Sequence, residues 1–354
     1  MIEEVISDTQ LTTLEDVLQA IAAEFTQPHG ENIAAVIGYG SFFYQDHAAQ
    51  LPGILTRDFF DKRPDFIVVY RDPKTFFEAL GKQFGWDAET IALHVEDARD
   101  KMAFYLPTTR KYYPVQFNDR SGVARLPFRI GAISLDEFQT RTALESQDMY
   151  IKMRLRGLIK PVNINPDSEQ AIDGGISNSR RRFVELAFQI SSGTISGREI
   201  FANYMWASYL MEAWRFETYK ADYLIGRAVG DLDFRRKLFG GAVAHIQKYV
   251  SDNEVPIRIG GSSISPQDIT IDNLFNVAFD LPSLSLGQRY NQLFYFTGQN
   301  LASLRQTLTI NRKYVNYTPQ YEEVSSGEGR EIIEPPKVSK LKYVVRKISK
   351  IFKH

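Results

Sequence analysis

The chain has 354 residues, 44% hydrophobic and 24% charged, ordinary globular values for a length that suits two domains or one large one. It contains no cysteine, which excludes disulfides, thiolate nucleophiles and zinc-thiolate centres and leaves the redox compartment unreadable. Net charge is −1, but the last 18 residues, KVSKLKYVVRKISKIFKH, hold seven Lys or Arg and no acid; the remaining body has 35 basic and 43 acidic residues and stands at −8.

The opening segment, MIEEVISDTQLTTLEDV, is acidic and has neither the pattern of a secretory signal nor that of an organelle presequence. No apolar run is long enough to span a bilayer. These features predict a soluble cytoplasmic protein whose membrane contact is peripheral. Next, TLEDVLQAIAAEF (13–25) has helical spacing, with Leu14, Val17, Leu18 and Ile21 on one side. A strand is expected at 33–38, ending in Gly38-Tyr39-Gly40-Ser41, and another at DFIVVY (65–70) between two proline-containing turns. KTFFEALGKQF reads as a helix, and the strand–helix rhythm points to an α/β or α+β domain.

Further strands are expected at KMAFYL, YYPVQFN and FRIGAIS, then helices at DEFQTRTAL and MYIKMRLRGLI, the last ended by Lys160-Pro161. Residues 163–179, NINPDSEQAIDGGISNS, read as a loop and a domain boundary. Beyond them the pattern is helical: RRRFVELAFQI, then SGREIFANYMWASYLMEAWRF with a capping-box spacing at Ser196 and Glu199, then DFRRKLFGGAVAHIQKYV. TPQYEEVSSGEGREIIEPP reads as a flexible acidic tether to the basic tail.

Three stretches carry chemistry. A strand ending in Gly-Ser, followed by a strand that begins with an acid, is the layout of a nucleotidyltransferase. The glycine lets the backbone approach a triphosphate, the serine and nearby N–H groups bond its oxygens, and a carboxylate holds the magnesium that bridges the phosphates. Gly40, Ser41 and Asp65 are the candidates; taken alone, Gly40-Ser41 is equally a strand-ending turn. The second carboxylate of the usual Asp-x-Asp pair is absent, since the sequence runs Asp65-Phe66-Ile67.

The second stretch is basic: Lys152, Arg154, Arg156 and Lys160 fall on one predicted helix, a phosphate-binding face or simply a solvated one. The third is the tail. Val338, Leu341, Val344, Val345, Ile348, Ile351 and Phe352 form an apolar stripe flanked by Lys342, Arg346, Lys347 and Lys350, the pattern of a helix lying on an anionic membrane surface. A helix docked on the body, a calmodulin-type target or a nucleic-acid arm has the same pattern, but the rest of the chain lacks the wide basic footprint that nucleic acid requires. The five histidines (29, 47, 94, 245, 354) show no metal-ligand spacing, and neither a Walker-type loop nor a Gly-x-Ser-x-Gly elbow occurs.

In order along the chain, the segments resemble the mitochondrial-type phosphatidate cytidylyltransferases, the soluble CDP-diacylglycerol synthases of the translocator assembly and maintenance family, which also have bacterial members. The likeness begins at Tyr39-Gly40-Ser41 with Gln45 behind it and continues at DFIVVYRDP (65–73) and RLPFRIGAISLDEF (125–138). MYIKMRLRGLIKPV (149–162) places Tyr150, Arg154, Lys160, Pro161 and Val162 on matching positions, and SYLMEAWR (208–215) does so for Glu212 and Arg215. LRQTL (304–308) and YVVRKISK (343–350) complete it.

The resemblance implies an α+β chain with a nucleotidyltransferase domain over 1–165, a mostly helical domain of winged-helix type over 176–317, an acidic linker over 318–336 and a membrane-binding helix over 337–354. It also implies the magnesium-dependent reaction of CTP with phosphatidate to give CDP-diacylglycerol and pyrophosphate, at the inner face of the cell membrane. In that reading Tyr39, Gly40 and Ser41 cradle the triphosphate and Asp65 holds Mg2+. Arg154 and Lys160 neutralise phosphates, Lys160 as a catalytic group, and Glu212 and Arg215 close the site. Departures from the family pattern are Phe42-Phe43 after the Gly-Ser, Arg129 or Phe128 near the family's lysine, Met153 in place of a glycine, and a short insertion before Lys160. They leave two alternatives open: a nucleotidyltransferase acting on a soluble molecule or a protein, and a catalytically inactive membrane-binding relative.

Overall fold

The computed structural model describes residues 14–40, 43, 55–56, 65–84, 87–100, 104–108, 112–117, 120–125, 128–211, 218–295, 321–324 and 330–333. The chain is α+β. A five-stranded mixed sheet is built from β1 (Ile33–Tyr39), β3 (Asp65–Tyr70), β4 (Phe104–Thr108), β7 (Phe128–Ser134) and β8 (Ile159–Ile164), in the order β4-β7-β3-β1-β8. Within this sheet, among the described residues, only the β3–β7 pair is parallel. β2 (Leu55–Thr56), β5 (Tyr112–Phe117) and β6 (Arg120–Arg125) form a small separate sheet.

IAAVIGY and DFIVVY read as apolar runs rather than alternations because both faces of the sheet are covered. On one face, α1 (Leu14–His29) and α2 (Pro73–Phe84) bury Leu18, Ala22, Phe76, Phe77 and Leu80. There the Phe76 ring stacks on Tyr70 at 4.5 Å and on His29 at 4.8 Å. α3 (Ala88–Asp100) packs on α2. On the opposite face Ala35, Ile37, Tyr39, Ile67, Val69 and Ile133 meet α4 (Leu135–Thr142), α5 (Met149–Leu155) and α6 (Glu169–Gln189).

Three readings of the sequence are corrected. Residues 163–179 are not a loop: β8 occupies 159–164, Pro166–Ser168 forms a 3-10 turn, and α6 begins at Glu169. Gly174 and Gly175 sit inside that helix. A Cβ at Gly175 would fall 2.4 Å from the Phe138 ring and 2.6 Å from the Thr142 hydroxyl, so close packing of α4 outweighs the poor helix propensity of glycine.

The helix from 149 ends at Leu155, not at Lys160, and Lys160-Pro161 lies in β8, an edge strand where proline forfeits no inner ladder bond. The acidic tether of 318–336 contains β13 (Tyr321–Val324) and β14 (Arg330–Ile333), an antiparallel pair with β13 beside β6. The pair sets Tyr321 opposite Ile333 and Val324 opposite Arg330, a register that the acidic composition does not announce.

α6 packs against α4 and α5 on one side and against α7 (Gly197–Met211) and α9 (Leu232–Asp252) on the other, with α8 (Thr218–Gly230) between the last two. The expected capping box is present at the start of α7. The Ser196 N–H donates to the Glu199 carboxylate at 2.7 Å, and the Glu199 N–H donates to the Ser196 hydroxyl at 3.3 Å. β9 (Gly193–Ser196), β10 (Ile257–Ile259), β11 (Ser262–Ser263) and β12 (Val277–Leu281) form an antiparallel sheet, β11-β10-β12-β9, beside these helices. On the α5–α6 face of the five-stranded sheet, one continuous apolar cluster among the described residues runs from β1 and β3 through α5 and α6 to α7, α9 and β12. Among the described residues, no helix is long and apolar enough to cross a membrane.

Candidate functional site

At the end of β1 the chain turns sharply, the Phe43 N–H donating to the Gly40 carbonyl at 3.1 Å. Gly40 has φ +88°, a left-handed conformation strained for any L side chain, and a Cβ there would stand 3.7 Å from Oδ2 of Asp65. The acid therefore lies beside bare backbone. Gly38 serves packing instead. A Cβ at that position would be 2.1 Å from the Phe43 ring, which is fully buried and meets Phe66 edge-on at 5.7 Å. Phe43 folds back over Gly38 and pins the turn.

Register decides what joins Asp65. Tyr39 pairs with Asp65 on β3 and with Ile159 on β8, and Asp65 pairs with Arg129 on β7. Paired residues share a sheet face, so Asp65 emerges with Tyr39, Ile67 and Val69 on the α5–α6 side. From α5, the Arg154 guanidinium carbon stands 5.8 Å from the centre of the Tyr39 ring, within cation–π range. Tyr39, Gly40, Asp65 and Arg154 are thus brought to one corner.

Lys160 is not part of that corner. Its partner on β1 is Gly38, one residue out of phase, so it emerges on the α1 face, where its ammonium makes an ion pair with Glu15. Burial there pulls the Lys160 pKa below its usual value. Ser41, Glu212 and Arg215 lie outside the described residues, as do the tail residues Lys342, Arg346, Lys347, Ile348, Lys350 and Phe352.

The expected basic helix face is corrected as well. Lys152 is fully buried; its ammonium donates to the Ser146 carbonyl. Burial and the nearby Arg182 push its pKa down to about 8, against the opposite pull of Asp148, Glu145 and Glu185. Arg156 is 7% exposed and lies over the Phe183 and Tyr204 rings, 5.6 Å from each. Both side chains belong to the packing between α5, α6 and α7. Arg154 is the one member of the cluster placed at the strand-end corner. The residue that sequence reasoning missed is Glu15, and nothing local to its helix announces a partner at position 160.

Among the described residues no three His, Asp or Glu side chains gather to hold a metal. Asp65 offers one carboxylate. Mg2+ is commonly bound by one or two carboxylates with substrate phosphates completing its shell, and a carboxylate beside side-chain-free backbone at Gly40 fits that donor set. No family model matches the sequence, and no curated protein matches it.

Proposed function

We propose that this protein is a magnesium-dependent phosphatidate cytidylyltransferase with a nucleotidyltransferase-type first half and a winged-helix-type second half. The observation that carries the reading is the corner at the end of β1. A left-handed glycine, an acid 3.7 Å from its missing Cβ and an arginine over the adjoining tyrosine meet where the family resemblance puts the CTP phosphates. The phosphate of phosphatidate attacks the α-phosphorus of CTP and pyrophosphate leaves, so the protein needs no covalent nucleophile and acts by positioning and charge neutralisation.

In this reading the Gly40 backbone and Ser41 hydroxyl receive the triphosphate, Asp65 holds Mg2+, and Arg154 neutralises phosphate charge. When bound, Mg2+ supplies charge neutralisation at the phosphates. Glu212 and Arg215 close the site, while Lys160 ties β8 to α1. The basic tail holds the enzyme on anionic lipid at the inner face of the cell membrane, at roughly 1 kcal/mol per basic residue near the surface. Four helices with a small antiparallel sheet, one strand of it before α7 and three after α9, support a winged-helix-type second half.

The test is purified full chain with labelled CTP, Mg2+ and phosphatidate-containing vesicles. Expected is CDP-diacylglycerol that depends on metal and falls with removal of 337–354 as vesicle binding is lost. No product beside an active homologue sinks the reading. That no three metal-ligating side chains gather among the described residues favours a second reading, an inactive membrane-binding relative. That alternative predicts vesicle binding without Mg2+-dependent CTP binding.

A further inference from the structure

α6 and α9 pack side by side and leave between them a polar groove of about 230 Å³, lined in part by Arg181, His245, Lys248 and Tyr249. Both acids in the groove are held by cations of their own helix. Glu185 takes Arg181 at 2.9 Å and Arg182 at 3.2 Å, and Asp252 takes Lys248 at 3.0 Å. Arg180 has no carboxylate partner among the described residues. Its guanidinium lies against Gly241 on α9, where a Cβ would fall 2.5 Å from the guanidinium carbon, so a helix-weakening glycine is what admits it.

One turn along α9 from Gly241, the His245 Nε2 stands 3.5 Å from the Ser177 hydroxyl of α6. That is long for a hydrogen bond, but an oxygen about 2.8 Å from each spans it. Burial and the charges of Arg180 and Arg181 push the His245 pKa below its usual value, with Glu185 opposing. At the end of the groove nearest Gly241, the Ser177 hydroxyl thus meets the His245 imidazole, and the Arg180 guanidinium lies one turn away along α9.

We propose that the α6–α9 cleft binds a phosphate-type oxyanion at the Ser177–His245 end of the groove, through Arg180, His245 and Ser177, with Arg181 and Lys248 lining the groove beyond, at a site separate from the strand-end corner. The site does not rest on the cytidylyltransferase reading and stands or falls without it. A phosphomonoester lipid headgroup and free inorganic phosphate present the same chemistry.

The test follows the imidazole resonances of the full chain by NMR during titration with inorganic phosphate. His245 is expected to shift saturably, and its pKa to rise on binding. Arg180→Ala should weaken the shift by about tenfold, the scale of one lost charge-assisted hydrogen bond. Gly241→Ala, which displaces the guanidinium while improving helix propensity, should weaken binding without lowering the melting temperature. An unmoved His245, or a folded Arg180→Ala protein that binds as tightly as wild type, overturns the proposal. Phosphatidate vesicles run against phosphatidylcholine vesicles identify the source: a His245 shift with the former alone, at matched phosphate, means a lipid headgroup, and a shift with inorganic phosphate alone means the free ion.

Discussion

The two faces of the five-stranded sheet meet the end of β1 in opposite ways. On the α5–α6 face, Tyr39, Asp65 and Arg154 gather charge beside the bare backbone of Gly40. On the α1–α2 face, one residue out of phase, Gly38 is filled by the Phe43 ring, Lys160 is taken by Glu15, and His29 and Tyr70 sandwich Phe76. One face brings an acid and an arginine together at the strand end; the other commits its groups to packing. The strand's two-residue period does this sorting, because neighbours on β1 and β8 cannot share a face.

The largest expected effect belongs to the chemical face. Asp65→Asn is isosteric and removes only the charge. Under the proposed function it lowers turnover in the vesicle assay about a thousandfold or more, about 4 kcal/mol in barrier. Retention of activity within a factor of ten would break the division of the two faces.

Phe43→Ala comes next, on the packing face. It empties a fully buried ring site over Gly38 and should cost about 3 to 5 kcal/mol, read as a lower urea midpoint with an unchanged slope. His29 tests the same face through pH. Burial pushes its pKa down to about 4, and neither ring nitrogen has a hydrogen-bond partner among the described residues. The unfolded chain takes up a proton near pH 6.5 and the folded one only near 4, so stability falls as pH drops through that window. The loss from this group amounts to about 3 kcal/mol. Urea midpoints at about pH 7 and about pH 4.5, which bracket most of that window, should show it, and His29→Leu should flatten the difference; an identical pH slope in the variant refutes the assignment.

The finest comparison sets two cations of one sequence stretch against each other. Arg154→Met should lower kcat/KM about a hundredfold, about 2.7 kcal/mol. Lys160→Met should change turnover less than about threefold and stability by under about 1 kcal/mol, the range of a partly exposed ion pair. Equal losses in the two variants would put Lys160 back with Asp65.

Much of this was legible along the chain. β1, β3 and β7, the helices at 14–29, 73–84, 135–142 and 232–252, and the capping box at Ser196 all follow from local apolar period and capping chemistry. The helix over 169–189 was hidden because its first half has loop composition, and only the contact of Gly175 with Phe138 and Thr142 explains why it continues. The basic stretch misled for a related reason. Spacings of four place 152, 156 and 160 together only if the helix persists, and it stops at Leu155.

Local pattern is enough to establish a glycine-ended strand and an acid-led strand, since each is an apolar run closed by a turn. Which charges stand with that acid is a matter of the folded chain. Burial takes Lys152 and Arg156 into the core, and strand register sends Lys160 to the far face, leaving Arg154 beside Tyr39. Register and burial depend on residues distant in the chain, such as Glu15 against Lys160, so no local spacing could have announced them.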